Sequence, residues 1–361
     1  MEKTEYRFVT EILKDGVRLH QAPVPLHAFE SAVEWAQFHG VRRGKLPSFL
    51  GGSPSTCIEP HWDREAGAPY VEGFRVRVEE DGGDALSPPI PITYFSERAQ
   101  LLAESLFEEG KLAKGERFTY RVCALAGAEG APQGVALTAA MTGSDRTSSE
   151  PFACEDLPQE LQLAERDLDT FLERAERVEP EGGPASDALP VFMPRHLLLE
   201  AEALKEKAGD VETGAVIIGH LRRDSRRPEV FAEVTALLPA PYTEATSTRV
   251  TFTADSWQAT EAVLQLRGAG EVMLGFLHTH PARFWCSKCE SSRWATCPMA
   301  QPFFSTEDRA FHKDVFPRAF SIAVVSGDTF DAEQGWKVFH ALYGWHEGIM
   351  TERGYHVLLD P

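Results

Sequence analysis

The sequence predicts a mixed α+β protein of two domains, on three observations. The 361 residues are too many for one ordinary domain and about right for two. Helical and strand periods both occur in each half of the chain. Between the halves, the run Glu179-Pro-Glu-Gly-Gly-Pro-Ala-Ser-Asp-Ala-Leu-Pro190 breaks either period with proline, glycine and small polar residues, and reads as a linker over 179–190. The expectation is an α+β domain over 1–178 that binds a substrate or partner, followed by a second domain over 191–361.

In the first domain, Phe29, Ala32, Val33 and Ala36 followed by Gly40 predict a short helix with a glycine stop. Ala99, Leu102, Ala103 and Leu106 before Gly110 predict another. Strands are expected where Phe74, Val76 and Val78 alternate with arginines, and where Phe118, Tyr120 and Val122 alternate with Thr119 and Arg121. Leu161, Ala164, Leu168, Phe171, Leu172 and Ala175 recur at helical spacing, as an amphipathic helix closing this half or as a connecting arm. Cys57 and His61, four apart in a Pro/Gly-rich stretch, are too ordinary a pair to count as ligands. No catalytic constellation stands out in this half.

In the second domain, Pro194 suits the first turn of a helix whose apolar face is Leu197, Leu198, Ala201 and Leu204. Strands are predicted over Glu212–His220, Val230–Leu238, Arg249–Thr253, Val272–His278 and Ser321–Val325. Asp255 or Ser256 is placed to cap a helix carrying Ala259, Ala262, Val263 and Leu266, which Gly268 and Gly270 stop.

Composition limits the function classes. With 43% hydrophobic and 25% charged residues the chain is neither disordered nor fibrous. Its apolar stretches fall short of the roughly 20 residues that span a bilayer, and its start lacks a signal peptide's apolar core, so a cytoplasmic protein without a membrane partner is expected. A net charge of −19, most of it in the first half, argues against phosphate-backbone binding and hence against a nucleic-acid partner. Six cysteines are no disulfide framework in a chain of this length, and the cluster Cys286, Cys289 and Cys297 points to metal or catalysis first.

The chemistry concentrates after residue 211. His278-Thr-His280-Pro281 ends a predicted strand, whose two-residue period turns both imidazoles to one side. Catalytic zinc takes three protein ligands and leaves one position open, and Asp308 of Ser305-Thr-Glu-Asp308, in the first turn of a predicted helix, supplies the third. A base outside the metal's coordination is still required, and Glu212, an ionisable residue on an apolar strand, is the candidate. Each piece alone has an ordinary explanation: a surface histidine pair, a helix cap, a strand-end charge.

In this order the pieces resemble the signature of the JAMM (MPN-type) zinc metalloproteases: Glu212, then His278, His280 and Pro281, then Ser305 and Asp308, over about residues 191–361. The resemblance implies a curled mixed sheet with flanking helices, of cytidine-deaminase-like architecture. It implies Zn²⁺ held by His278, His280 and Asp308, with Glu212 as the general base and Ser305 as donor to the developing oxyanion. It further implies cleavage after the C-terminal tail of a ubiquitin-like protein, for deconjugation or precursor processing, in a bacterial conjugation or antiviral system with partners resembling activating and conjugating enzymes. Processing of a sulfur-carrier protein or a small amino-acid conjugate is a second expectation, and a non-catalytic MPN scaffold a third, disfavoured because every motif residue is present.

The sequence departs from the family pattern between Pro281 and Ser305, where residues 282–304 form a long insert. Cys286, Cys289 and Cys297 within it predict a second, structural Zn²⁺, which needs a fourth ligand. His312, the next histidine, is the expected one.

Overall fold

A computed structural model describes residues 5–47, 55–80, 83–113, 115–127, 163–180, 188–240, 244–246 and 249–359. The chain forms two compact units, Met1–Leu161 and Gln162–Pro361.

The first unit contains two small antiparallel sheets. One has the order β2-β1-β7, with β1 Tyr6–Lys14, β2 Val17–Pro23 and β7 Thr119–Ala126. The other is built on β4 Val71–Glu80, flanked by β3 Ser55–Trp62 on one side and by β5 Gly83–Leu86 and β6 Ile90–Pro91 on the other. Phe74, Val76 and Val78 point inward and are fully buried, as the alternation predicts. Edge-to-face contacts of Phe29 with Phe8, Phe74 and Phe95 knit the core. Helix α1, Glu30–Arg42, runs through Gly40 rather than stopping there, and the glycine serves close packing instead, since a side chain at residue 40 would collide with Leu46 and Ala85. Helix α2, Ser96–Glu108, ends as expected before Gly110, which adopts a left-handed φ of 72°.

The second unit is a mixed sheet of ten strands with helices against it. Its strands are β8 Ala164–Arg166, β9 Ala175–Val178, β10 Val191–Pro194, β11 Gly214–Asp224, β12 Val230–Pro239, β15 Val272–His280, β16 Ile322–Asp331, β17 Gly335–His346, β18 Ile349–Arg353 and β19 Tyr355–Leu358. Their order is β18-β17-β16-β15-β11-β12-β10-β19-β9, with β8 paired to the end of β11. The central strand β11 is antiparallel to β12 and β15, whereas β15 and β16 are parallel. Helix α4, Arg195–Ala208, packs on β10, β12, β15 and β16. Helices α5, Ala254–Arg267, and α7, Thr306–Val315, contribute Trp257, Leu264 and Phe311 to an apolar cluster with Val216, Ile218 and Phe276 of the sheet.

Several expectations are corrected. The helix predicted from 161 to 175 is, over its described part, strand β8, a six-residue helix α3 (Leu168–Glu173) and strand β9. Leu168 and Phe171 reach Phe192 and Phe231 from this short helix, so helical spacing over two turns does not require a long helix. Because β9 pairs with β19 and β8 with β11, residues 164–178 belong to the second unit. The units therefore part at 161/162 and not at 179–190, of which residues 181–187 lie outside the described set. Strand Arg249–Thr253 is shorter, β14 Arg249–Thr251, and pairs with β13 Glu244–Thr246. Thr253, rather than Asp255 or Ser256, caps α5, its side chain accepting from the Ser256 amide, while Gly268 closes the helix in a left-handed conformation. Pro194 ends β10 and precedes the first turn of α4. Among the described residues no helix is long and apolar enough to cross a membrane.

Candidate metal centre

The centre lies at the end of β15, where this strand runs between β11 and β16. The pleat puts His278 and His280 on one side, and both are buried. Gly214 is paired with His278 across β11 and β15, so the chain just before Gly214, which carries Glu212, approaches the end of β15. Two hydrogen bonds lock that approach: the Thr213 amide donates to Thr279 Oγ1 at 3.0 Å, and the Thr279 amide to the Thr213 carbonyl at 2.9 Å. Gly214 is needed here, since a Cβ would lie 2.6 Å from the Phe252 ring.

Helix α7 delivers the third group. Ser305 is its N-cap and accepts from the Asp308 amide at 3.0 Å, while the Ser305 amide donates to Asp308 Oδ2 at 2.9 Å. This capping box makes the ordinary reading of Ser-x-x-Asp correct as well. It also fixes the carboxylate, because the same Oδ2 lies 3.4 Å from His278 Nε2. The two histidine Nε2 atoms are 3.1 Å apart.

His278, His280 and Asp308 are, among the described residues, the one group of three such side chains whose ligand atoms all lie within 4.8 Å of one another. Donors bound to zinc at about 2.0–2.1 Å in a tetrahedron stand roughly 3.3–3.4 Å apart. The observed 3.1 and 3.4 Å match that spacing, so the donor set fits a divalent ion.

The electrostatics agree. Burial, with His278 close by, holds His280 down to about 3, so its ring is neutral and offers a lone pair. Burial pushes Asp308 up, but the hydrogen bond and charge of His278 and the bonds to Ser305 outweigh it and hold the carboxyl well below the usual range. Glu212, only 6% exposed, is pushed up to about 7, first by burial. His278 draws it down and Asp308 raises it further, which places Glu212 within electrostatic reach of both. Glu212 is not one of the converging set.

Trp285 and Phe303 flank the His280 ring at 5.1 and 4.4 Å, and Phe276 stacks beside His278 at 5.6 Å. The sequence reading missed this aromatic wall and also a buried ion pair behind it. Lys205 Nζ lies 2.7 Å from Asp328 Oδ1, which Arg283 reaches at 3.0 Å. Lys205 continues the spacing of Leu197, Leu198 and Ala201 along α4, and that spacing was the available signal.

The insert differs from its prediction. Cys286, Cys289 and Cys297 are free thiols, with Cys286 and Cys297 sulfurs 3.7 Å apart and Cys289 exposed. His312 is not their fourth ligand. It is fully buried, with its ring against Phe276, Phe304, Phe316 and Trp345, and burial holds it down to about 3. One turn after Asp308, it points beneath the metal centre into the apolar cluster. In the first unit, His61 pairs with Glu72 at 3.0 Å, and among the described residues neither His61 nor Cys57 belongs to a group of converging ligand atoms.

No family model matches the chain, and neither does any curated protein. Among solved structures that match is the solution structure of protein DSY2949 from Desulfitobacterium hafniense, with 19% identity and a TM-score of 0.30. The match spans 47% of this chain and 92% of that one, a likeness too slight to argue from.

Proposed function

We propose that the second unit is a JAMM-type zinc peptidase that cuts the bond following the C-terminal tail of a ubiquitin-like protein. The observation that carries this reading is the convergence of His278 Nε2, His280 Nε2 and Asp308 Oδ2 beside a buried Glu212 held near 7. Zinc bound there supplies a Lewis acid and lowers the pKa of water from 15.7 towards about 7.

Glu212 is the general base. An acid near neutrality takes a proton from the attacking water without holding it too tightly, then gives it to the departing amine nitrogen. The Ser305 Oγ lone pair is engaged by the Asp308 amide, so its hydroxyl proton can donate to the developing oxyanion. His278, His280 and Asp308 hold the ion, and the capping box keeps Asp308 oriented. Trp285, Phe303 and Phe304 limit water around the histidines and strengthen every charge interaction in the pocket. The first unit, α+β and without a ligand cluster among its described residues, is assigned to holding the folded modifier or a partner.

The test uses the full chain with zinc and a ubiquitin-like protein fused through its tail to a reporter. Cleavage after the tail, lost on chelation and restored by zinc, is expected. Zinc binding without hydrolysis of any tail fusion or isopeptide would leave the scaffold reading in its place.

A further inference from the structure

The insert carries three thiols that the proposed reaction does not use, and its backbone arranges them in a particular way. The Cys289 amide donates to the Cys286 carbonyl at 2.9 Å, and the Ala300 amide donates to the Cys297 carbonyl at 2.9 Å. Each of these cysteines therefore opens the same kind of turn. In the first turn the residue three places on is a second cysteine. In the second it is Ala300, fully buried. The short helix α6, Ala282–Cys286, packs directly against the turn Pro298–Ala300.

Two such facing turns present four corners, three of which bear sulfur. The Cys286 and Cys297 sulfurs stand 3.7 Å apart. Thiolates bound to zinc at about 2.3 Å in a tetrahedron are about 3.8 Å apart, whereas a disulfide holds its sulfurs at about 2.05 Å. Among the described residues no third His, Cys, Asp or Glu ligand atom, the Cys289 sulfur included, lies within 4.8 Å of both sulfurs, so Cys289 must turn inward to reach the ion and no side chain stands ready at the corner beside Ala300.

The insert also has little else to hold it. Residues 287–293 are all exposed, and beyond α6 its helical segments are short 3₁₀ pieces, Ser291–Thr296 and Pro298–Ala300. Between α6 and Phe303 its anchors are Ala300 and Trp294, whose indole N–H donates to the Cys286 carbonyl at 3.0 Å and whose ring meets Phe330 and Trp336. The exposed stretch 287–293 makes little apolar contact to set against its ordering entropy, and a cation held by thiolates on either side of it would offset that cost.

We propose that Cys286, Cys289 and Cys297 form a second Zn²⁺ site with an open fourth corner beside Ala300, filled by solvent. Soft thiolate donors select zinc over hard cations. The exposed Cys289 side chain turns inward on binding, and each thiol gives up its proton, so affinity rises with pH. The site does not depend on the peptidase reading, since none of its residues belongs to the His278, His280 and Asp308 cluster.

The experiment titrates the full chain, stripped of metal and kept reduced, with Co²⁺ as the spectroscopic probe. A sulfur-to-cobalt charge-transfer band is expected in the wild type and in His278→Ala/Asp308→Ala, and not in Cys286→Ser/Cys297→Ser. Cys289→Ser, at an exposed position where folding is not at stake, should weaken the band and the affinity. Ala300→Cys should complete the tetrahedron and tighten Zn²⁺ about a hundredfold in competition with a chromophoric chelator, one thiolate's share of a four-ligand site. No band in the wild type, or an unchanged band in Cys289→Ser, would overturn the site. A metal-free Cys286–Cys297 disulfide in the chain purified without reductant would also overturn it, and unchanged affinity in Ala300→Cys would overturn the open corner.

Discussion

The histidine–aspartate centre and the cysteine insert lie within thirty residues of each other in sequence and are built from opposite materials. The first rests on paired strands and a capped helix, which hold its three donor atoms within 4.8 Å of one another. The second rests on isolated turns and brings only two of its three sulfurs into contact. The lesson is that a site on regular structure is formed before its ion arrives, whereas a site on turns is completed by it.

The largest expected effect tests the preformed centre. Glu212→Gln should lower turnover by about 10²–10⁴ with zinc still bound, because the amide takes up no proton and is not a ligand. Turnover and metal content measured on one sample decide it, and wild-type turnover would remove Glu212 as the base.

Next is Ser305→Ala, which strikes both the chemistry and the scaffold. We expect a loss of about 10²–10³ in kcat from the missing oxyanion donor. A loss of about 1 kcal/mol in stability should accompany it as α7 loses its cap. A stability loss without a rate loss would reduce Ser305 to the cap alone.

The third expectation concerns pH. Burial raises Glu212 to about 7 from an ordinary 4.5, so between these values the folded metal-free chain keeps a proton that the unfolded chain has released. Its contribution is full below about 4.5 and is lost as pH rises through about 7, up to about 3 kcal/mol. Denaturation of metal-free wild type and Glu212→Gln across this window should show the difference, with the variant losing less stability as pH rises.

The smallest effect sharpens the contrast. Trp294→Ala should cost about 1–2 kcal/mol and loosen metal at the thiols, while the ion on His278, His280 and Asp308 stays. Calorimetry and metal analysis before and after mild chelation would show whether the two sites respond separately, as different building materials require.

Much of this was legible in the sequence because its signals are local. Alternation marked β4 and β7, apolar runs marked β11, β12 and β15, and a two-residue period put His278 and His280 on one side whatever the surroundings. The Ser-x-x-Asp spacing marked both a helix start and a carboxylate at its first turn. Less legible were features that depend on what packs where. Leu168 and Phe171 satisfied a helical period, yet only α3 is helical and the flanking residues are strands, because the edge of β19 and the end of β11 beyond β15 accept them. His312 was the next available histidine in the sequence, but the sheet beneath α7 claims its ring.

The sequence by itself determined the ligand types, their order and the faces they occupy, since these follow from residue identity and the periods of helix and strand. Only the tertiary structure decided that Glu212 comes within electrostatic reach of His278 and Asp308, that Asp308 Oδ2 meets His278 Nε2, and that Cys297 and not His312 stands beside Cys286. Those relations span tens of residues of chain. They are fixed by strand register and by competition for buried space, and neither leaves a mark at any single position.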